Sequence, residues 1–580
     1  KGTYLARVIR RIAKAGGAFK AGGGARSFTG RRIGRGNEAL GRHRAGYRSR
    51  PAYRRVVIKT RIVKLKGGGS GAARAHLRYI RRDGVTREGA PGELYDASSD
   101  RADGKAFLER GEGDRHQFRF IVSPEDATEL ADLKPFVREL MGAMETDLGT
   151  KLDWVAVDHH NTAHPHSHIV LRGKDDTGRD LVIARDYIAY GMRRRASELL
   201  TLELGPQTER EIKRKLERQV GEERFTDLDR DLVRDAVGGV VDTRHGPDHE
   251  DARFRRAVRL ARLRVLARRG LADEIAPGRW RLDADLEERL RRMGERGDIV
   301  KTMHRGLRRA GLDAGASEFS LYDPADPRTP VVTGRIVDRG LHDELGDSHY
   351  AMVDSADGRV HYVALHPRQD MKDLPLGAVV AIHPAAGREA GGDEGTARTG
   401  RRARYPGRVA VLSFLSLEQQ VTAEGATWLD RQLVAREPLP LCGARFGAEA
   451  AQALRRRQAH LIVQGLARRD GGGEGAAVRY RRFLLRHLRR REIAAVGERI
   501  AGETGLAFVE PHDGERIEGI YRRPLRLASG KFAMIETEGE FALVPWRPAL
   551  ERSRDKQVSG ILRGQSISWT IGRKRGVGIR

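Results

Sequence analysis

Residues 158–173 read DHHNTAHPHSHIVLRG, and five of the chain's 19 histidines lie there within ten residues. Alternating apolar runs flank them, KLDWVAVDHH before and HSHIVLRG after. In a strand every second side chain shares a face. His166 and His168 therefore point the same way, and the face of Val155 and Val157 continues to His159. The short connection HNTAHP makes the two runs antiparallel neighbours, so three imidazoles converge. Imidazole is the commonest nitrogen ligand of metals. Three of them with coordination positions left open describe a catalytic site rather than a closed structural one. Asp158, His160 and His164 are the candidates for orienting the rings. The bland alternative is a group of surface or hydrogen-bonding histidines near a loop.

The surrounding sequence predicts a compact domain. HQFRFIVSP (116–124) alternates and ends at a proline, as a strand does. PEDATELADLKPFVRELMGAMETDLG predicts one long amphipathic helix, with Ser123 as N-cap and Pro124 at its first position. GAARAHLRYIRRDG predicts a helix closed by Gly84. ARDYIAYGMRRRASELLTLELG predicts another, stopping at Gly205-Pro206. The order αβαββα describes an α+β fold with an antiparallel sheet.

The formal net charge of +29 over 580 residues directs the chain to polyanions, nucleic acid first and anionic membrane second. Part of that charge follows the general bias towards Arg, Ala and Gly. No run of about 18 apolar residues occurs, so no membrane-spanning helix is expected. The chain opens on Lys1 with no leader-like pattern, and a preceding segment is expected. Cys442 is the one cysteine. It excludes a disulfide framework and a cysteine-based zinc site, and suits a reducing cytoplasm.

At this length several domains are expected. Residues 1–68 hold a single acid, Glu38, and glycine clusters. They predict a basic, largely disordered arm, with RRVVIKTRIVKL as a strand near its end. Residues 69–207 form the domain around the histidines. Residues 208–325 are charged and helical, and ARLRVLARRGLADEIAPGRWRL resembles the recognition helix and hairpin of a winged helix. A small helical connector is the alternative there. Short strands over 330–385 suit a small β-barrel, 386–408 is a linker by composition, and 409–580 is a C-terminal α+β domain. No regular internal repeat is visible.

A metal site in so basic a chain points to a phosphodiester, whose developing charge the ion would stabilise. No Ser-His-Asp set or reactive cysteine offers a nucleophile, but tyrosine can serve as one. Tyr79 lies in AHLRYIRRDG amid Arg78, Arg81 and Arg82, cations that favour a phosphate and the phenolate. A residue that only packs the helix on the sheet is an equal reading of Tyr79. Tyr95 is the loop alternative, and Tyr187 and Tyr190 fit ordinary helix faces.

DHHNTAHPHSH resembles the third motif of conjugative relaxases of the histidine-hydrophobe-histidine endonuclease class, in the branch that nicks T-DNA borders. LRYIRRDG is similar to the helix bearing that branch's nucleophilic tyrosine. GATWLDRQL, LASGKFAMIE and LVPWRP look like the long C-terminal region of unassigned function in such relaxases. The resemblance covers most of 55–580 and is strongest over 70–207. It implies a site- and strand-specific endonuclease and strand transferase acting on single-stranded DNA at a transfer origin. Tyr79 would form a 5′-phosphotyrosine link, and His159, His166 and His168 would hold Mg²⁺ or Mn²⁺. His164 and Asp158 would assist, and Arg78, Arg81 and Arg82 would contact DNA. It further implies a five-stranded antiparallel sheet, accessory relaxosome proteins, a type IV secretion coupling protein, and passage into a recipient cell with the DNA. A relaxase must find its origin as duplex DNA, so residues 208–325 are expected to supply duplex contacts and 330–580 contacts to DNA or to transfer-machinery partners.

Two positions depart from that branch. Asn161 and Ala163 stand where acids are usual, so an orienting acid must come from elsewhere, with Asp158 and Asp83 as candidates. Ligation by imidazole alone also suits Mn²⁺ or Zn²⁺ better than Mg²⁺. Two rival readings stand beside this one. HPHSHIV partly fits histidine-triad nucleotide hydrolases, but Pro165 and Ser167 fit that pattern poorly. A non-enzymatic DNA-binding protein would need no metal and would bind in a salt-dependent way.

Overall fold

The computed structural model describes residues 35, 53–65, 70–81, 86, 90–160, 165–244, 249–326, 328–342, 345, 348–366, 369, 371–385, 405–406, 408–471, 477–564 and 566–570. It is a mixed α+β chain folded as two units, 1–212 and 213–580. Among the described residues no helix is long and apolar enough to cross a membrane. Most of the arm expected over 1–68 and almost all of the linker expected over 386–408 lie outside the described residues.

The first unit is built on a sheet of order β1-β2-β4-β3, with β1 Val56–Lys64, β2 His116–Pro124, β3 Trp154–His159 and β4 His166–Arg172. All three pairings are antiparallel. The strand expected at the end of the arm is thus part of this domain, because its register with β2 runs from Val56 opposite Pro124 to Lys64 opposite His116. Four strands, not five, are hydrogen-bonded among the described residues. At the β3 edge the chain makes only an isolated antiparallel bridge, Tyr95 to Ala156.

One face of this sheet carries Phe118, Phe120, Trp154, Ile169 and Leu171. It packs on α3 (Leu133–Leu148) and α4 (Met192–Leu204). The other face carries Val155, Val157 and Val170 beneath α1 (Ser70–Ile80) and α2 (Gly104–Arg110). Helix α2 is absent from the sequence reading. Its N-cap Asp103 accepts from the Lys105 and Ala106 amides, a local signal. The helix expected to start at Pro124 starts at Leu133 instead. Pairing with β1 keeps Pro124 extended, Asp132 caps the Lys134 amide, and Pro135 sits in the first turn, where no intrahelical N–H is required.

Arg54 closes the domain behind β1. Its buried guanidinium donates to Asp126, Glu129, Glu211 and the Gly205 carbonyl at 2.8–3.2 Å. Arg54→Ala is expected to cost about 2 kcal/mol. The loss would be read as faster amide exchange across Val56–Lys64; unchanged exchange would show the cluster to be dispensable.

The second unit starts with α6 (Asp227–Asp235), α7 (Glu250–Arg268) and a small sheet of order β5-β7-β6, formed by Val240–Asp242, Arg279–Leu282 and Ala272–Ala276. Helix α5 (Glu209–Gly221) leads into it. Helix α8 (Leu286–Arg309) packs Met303 and Leu307 against the next sheet. That sheet has six strands and corrects the expected barrel. Its order runs from Arg408–Ser413 at one edge to Phe319–Leu321 at the other, and among the described residues the edges do not pair, so it is open. Helices α9 (Leu417–Thr422), α10 (Trp428–Leu433) and α11 (Arg445–Val463), a hairpin of Ala467–Asp470 and Ala477–Tyr480, and α12 (Leu484–Thr504) follow. A second open six-stranded sheet ends the described chain.

Candidate metal centre

His159 pairs with His166 and Val157 with His168 across β3 and β4, so the three imidazoles occupy one face, as alternation requires. All three are buried. Their donor atoms lie within 4.8 Å of one another, and their ring centroids are 4.3–5.3 Å apart. Around a tetrahedral ion held at about 2.1 Å by each nitrogen, donors lie about 3.4 Å apart. Shifts of up to about 0.7 Å in each ring therefore close the three donors on one ion. The donor set fits a divalent metal.

The rings lie on the face covered by α1. His159 Nε2 is 2.7 Å from the carbonyl of Ile80, the last residue of that helix. This contact holds the proton on Nε2 and the lone pair on Nδ1. It also ties the histidines to the helix in which Tyr79 is the preceding residue. The side chain of Tyr79 lies outside the described residues, as do His164, Arg82 and Asp83. Arg78 and Arg81 are exposed, and His160 is half-buried just past β3.

Asp158 stands on the wrong face for the role expected of it. Its carboxylate accepts from the Tyr95 hydroxyl at 2.7 Å and the Ser167 hydroxyl at 2.6 Å. Asp158 and Ser167 face each other between the two histidine rows, and strand parity sends them through the sheet. Burial raises the Asp158 pKa, and the two hydroxyls partly offset it. Tyr95 is fully buried, edge-on to Trp154. Burial first, and Asp158 second, push its phenol well above the usual range. A buried, protonated phenol on the far face cannot attack a phosphate, which removes the loop alternative. Tyr187 is likewise core, donating to Asp147 at 2.9 Å, while Tyr190 is exposed.

Residues absent from the sequence reading complete the histidine face. His76 is buried three positions before Tyr79 on α1. Burial, then Arg119, Arg61 and His159, push its pKa down to about 3, so it is neutral. Arg119 is buried in β2, opposite Val170 on one side and Arg61 on the other. Lys59 pairs with Ile121, which pairs with His168. Lys59, Arg61 and Arg119 thus extend the histidine face as a cationic row, with Lys59 and Arg61 exposed. The signal was the alternation of basic residues in KTRIVK, hidden within a segment basic throughout.

A family model described as "Protein of unknown function (DUF3363)" matches residues 259–405 and 392–578. No curated protein and no solved structure matches the chain.

Proposed function

We propose, for a chain that belongs to the family described as protein of unknown function (DUF3363), that the domain preceding the matched region is a relaxase. It nicks and rejoins one strand of DNA at a transfer origin and so starts conjugative transfer. The observation that carries this reading is the buried His159, His166 and His168 cluster, tied through Ile80 to the helix that holds Tyr79. The exposed Lys59 and Arg61, which continue the histidine face, support it as a path for phosphates.

In the reaction the Tyr79 oxygen attacks the scissile phosphorus. A bond forms between them, and the bond from phosphorus to the 3′ oxygen breaks. The phenol proton passes to solvent or a nearby base, and the departing oxygen takes up a proton to become a 3′-hydroxyl. The strand stays linked through a 5′-phosphotyrosine, which conserves the energy for rejoining. His159, His166 and His168 would hold a divalent ion, which would supply Lewis-acid polarisation of the phosphate; imidazole-only ligation favours Mn²⁺ or Zn²⁺ over Mg²⁺. His159 holds the helix of Tyr79 against the site, and Arg78 and Arg81 offer phosphate contacts beside it. The site acts in the cytoplasm, with relaxosome proteins and a secretion coupling protein as partners.

Labelled single-stranded oligonucleotides tiled across the DNA flanking the gene, incubated with protein and Mn²⁺, test this directly. A denaturing gel is expected to show a protein–DNA adduct that is lost with chelator and with Tyr79→Phe. Cleavage without an adduct would point to activated water, and an adduct that survives Tyr79→Phe would exclude this nucleophile.

A further inference from the structure

The second unit contains one structural module twice. Residues 219–233 (QVGEERFTDLDRDLV) and 420–434 (QVTAEGATWLDRQLV) are identical at nine of fifteen positions. Each copy places a capping box at the same point, Thr226 with Asp229 and Thr427 with Asp430. In each, the boxed aspartate also receives a buried arginine from the following long helix. Arg262 Nε and one terminal nitrogen donate to Asp229 at 2.8 and 2.8 Å; Arg457 does the same to Asp430 at 2.8 and 2.9 Å.

The remaining guanidinium protons match as well. Arg262 donates to the carbonyls of Val220, Glu222 and Arg224 at 2.9, 2.7 and 3.1 Å. Arg457 donates to those of Val421, Ala423 and Gly425 at 3.1, 2.7 and 3.2 Å. Gln219 accepts from the Leu228 amide as Gln420 does from Leu429, each at 3.3 Å. Both long helices end at a left-handed glycine, Gly270 or Gly465, followed by Leu-Ala and a hairpin. Helix, helix, long helix, hairpin is the order of a winged helix. The absence of an internal repeat, expected from sequence, is corrected.

The copies differ in where they carry charge. In the first, Arg253, Ala257, Arg264 and Arg268 fall at helical spacing along one exposed stripe of α7. Its hairpin is mixed, with Asp273 and Glu274 against Arg279 and Arg281. In the second, the equivalent stripe has Ala448, Gln452, Ala459 and Val463; of its arginines, Arg455 and Arg456, the latter is gripped by Glu418 at 2.7 Å through two bonds. The start of that helix is also occupied, since Arg445 bonds Glu318 and Asp354 beside the first six-stranded sheet. Its hairpin and the residues after it are instead basic, with Arg468, Arg469, Arg479, Arg481 and Arg482 exposed against Asp470.

We infer that both copies bind duplex DNA, the first by laying the Arg264–Arg268 stripe of its long helix in the major groove, the second by setting its arginine hairpin on the phosphate backbone. A helix whose exposed stripe carries three arginines and one alanine, with no acid among them, fits a groove about 12 Å wide. It cannot enter the deep, narrow major groove of duplex RNA. Arginines outnumbering nearby acids are suited to phosphates at a hairpin that need not read bases. This activity stands apart from the nicking site and does not depend on it.

The test is the binding of the full chain to a random-sequence DNA duplex, followed by fluorescence anisotropy over a salt series. The variants R264S/R268S and R468S/R469S/R482S are compared with the native chain. Each lost phosphate contact is expected to lower the log–log salt slope by about 0.9, and each variant to bind the duplex at least about tenfold more weakly at moderate salt. Binding of a single-stranded oligonucleotide should not change. The corresponding lysine variants, which keep the charge, should recover most of the duplex binding, which separates lost contacts from lost fold. A native slope in either serine variant would overturn the inference for that copy, and native slopes in both would overturn it altogether. So would an equal loss of single-strand binding, or competition by duplex RNA as strong as that by duplex DNA.

Discussion

His168→Ala is expected to lower affinity for Mn²⁺ or Zn²⁺ by at least about 100-fold, since loss of a partner one step further from the metal already costs 10–100-fold. Adduct formation should fall with it. His168 lies mid-sheet, opposite Ile121 and Val157, so the substitution leaves the backbone pairing of β2, β3 and β4 in place. His159→Ala should do more. It removes a donor and also the contact to the Ile80 carbonyl that seats α1. Amide exchange across Ser70–Ile80 should therefore quicken in His159→Ala and stay near native in His168→Ala. Calorimetric titration with each ion, with hydrogen exchange beside it, checks both halves. Native metal affinity in His168→Ala would remove the metal centre, and with it the proposed chemistry.

The second large effect lies in the repeated arginine cages. Asp430→Ala leaves Arg457 charged and buried, and should destabilise its module by about 3–5 kcal/mol. Asp229→Ala should do the same to the first module, because the cages share their partners and full burial. A buried pair can often be exchanged for apolar residues of similar volume at little cost. Here that exchange is expected to fail. In Asp430→Leu with Arg457→Met, the carbonyls of Val421, Ala423 and Gly425 lose their donors, and buried acceptors without donors cost about 1–3 kcal/mol each. Denaturant unfolding of the single and double variants decides it. A double variant as stable as the native chain would show the cage to be no more than an ion pair.

Much of the metal centre was legible in the sequence. Alternation in WVAVDHH and HSHIVL, joined by a short connection, was enough to bring His159, His166 and His168 to one face, because the period of a strand is two. The same parity, applied one residue earlier, sends Asp158 through the sheet to Tyr95. That consequence was readable and was overridden by the expectation of an orienting acid. The repeat was half-visible. Its fifteen-residue signature stands in the sequence, but Asp229 and Arg262 are 33 apart where Asp430 and Arg457 are 27 apart. The first copy inserts a strand, Val240–Asp242, and the period is lost.

What the sequence determined by itself is what depends on local geometry: which side chains share a strand face, where caps and glycines end helices, and how much charge the chain carries. Only the tertiary structure decided which helix lies over the histidines, that Lys59, Arg61 and Arg119 extend their face, and that two arginines far along the chain close equivalent cages. These are contacts across many residues, set by register between strands and by burial. Neither is written in any one segment, because each becomes favourable only when the partner segments are packed together.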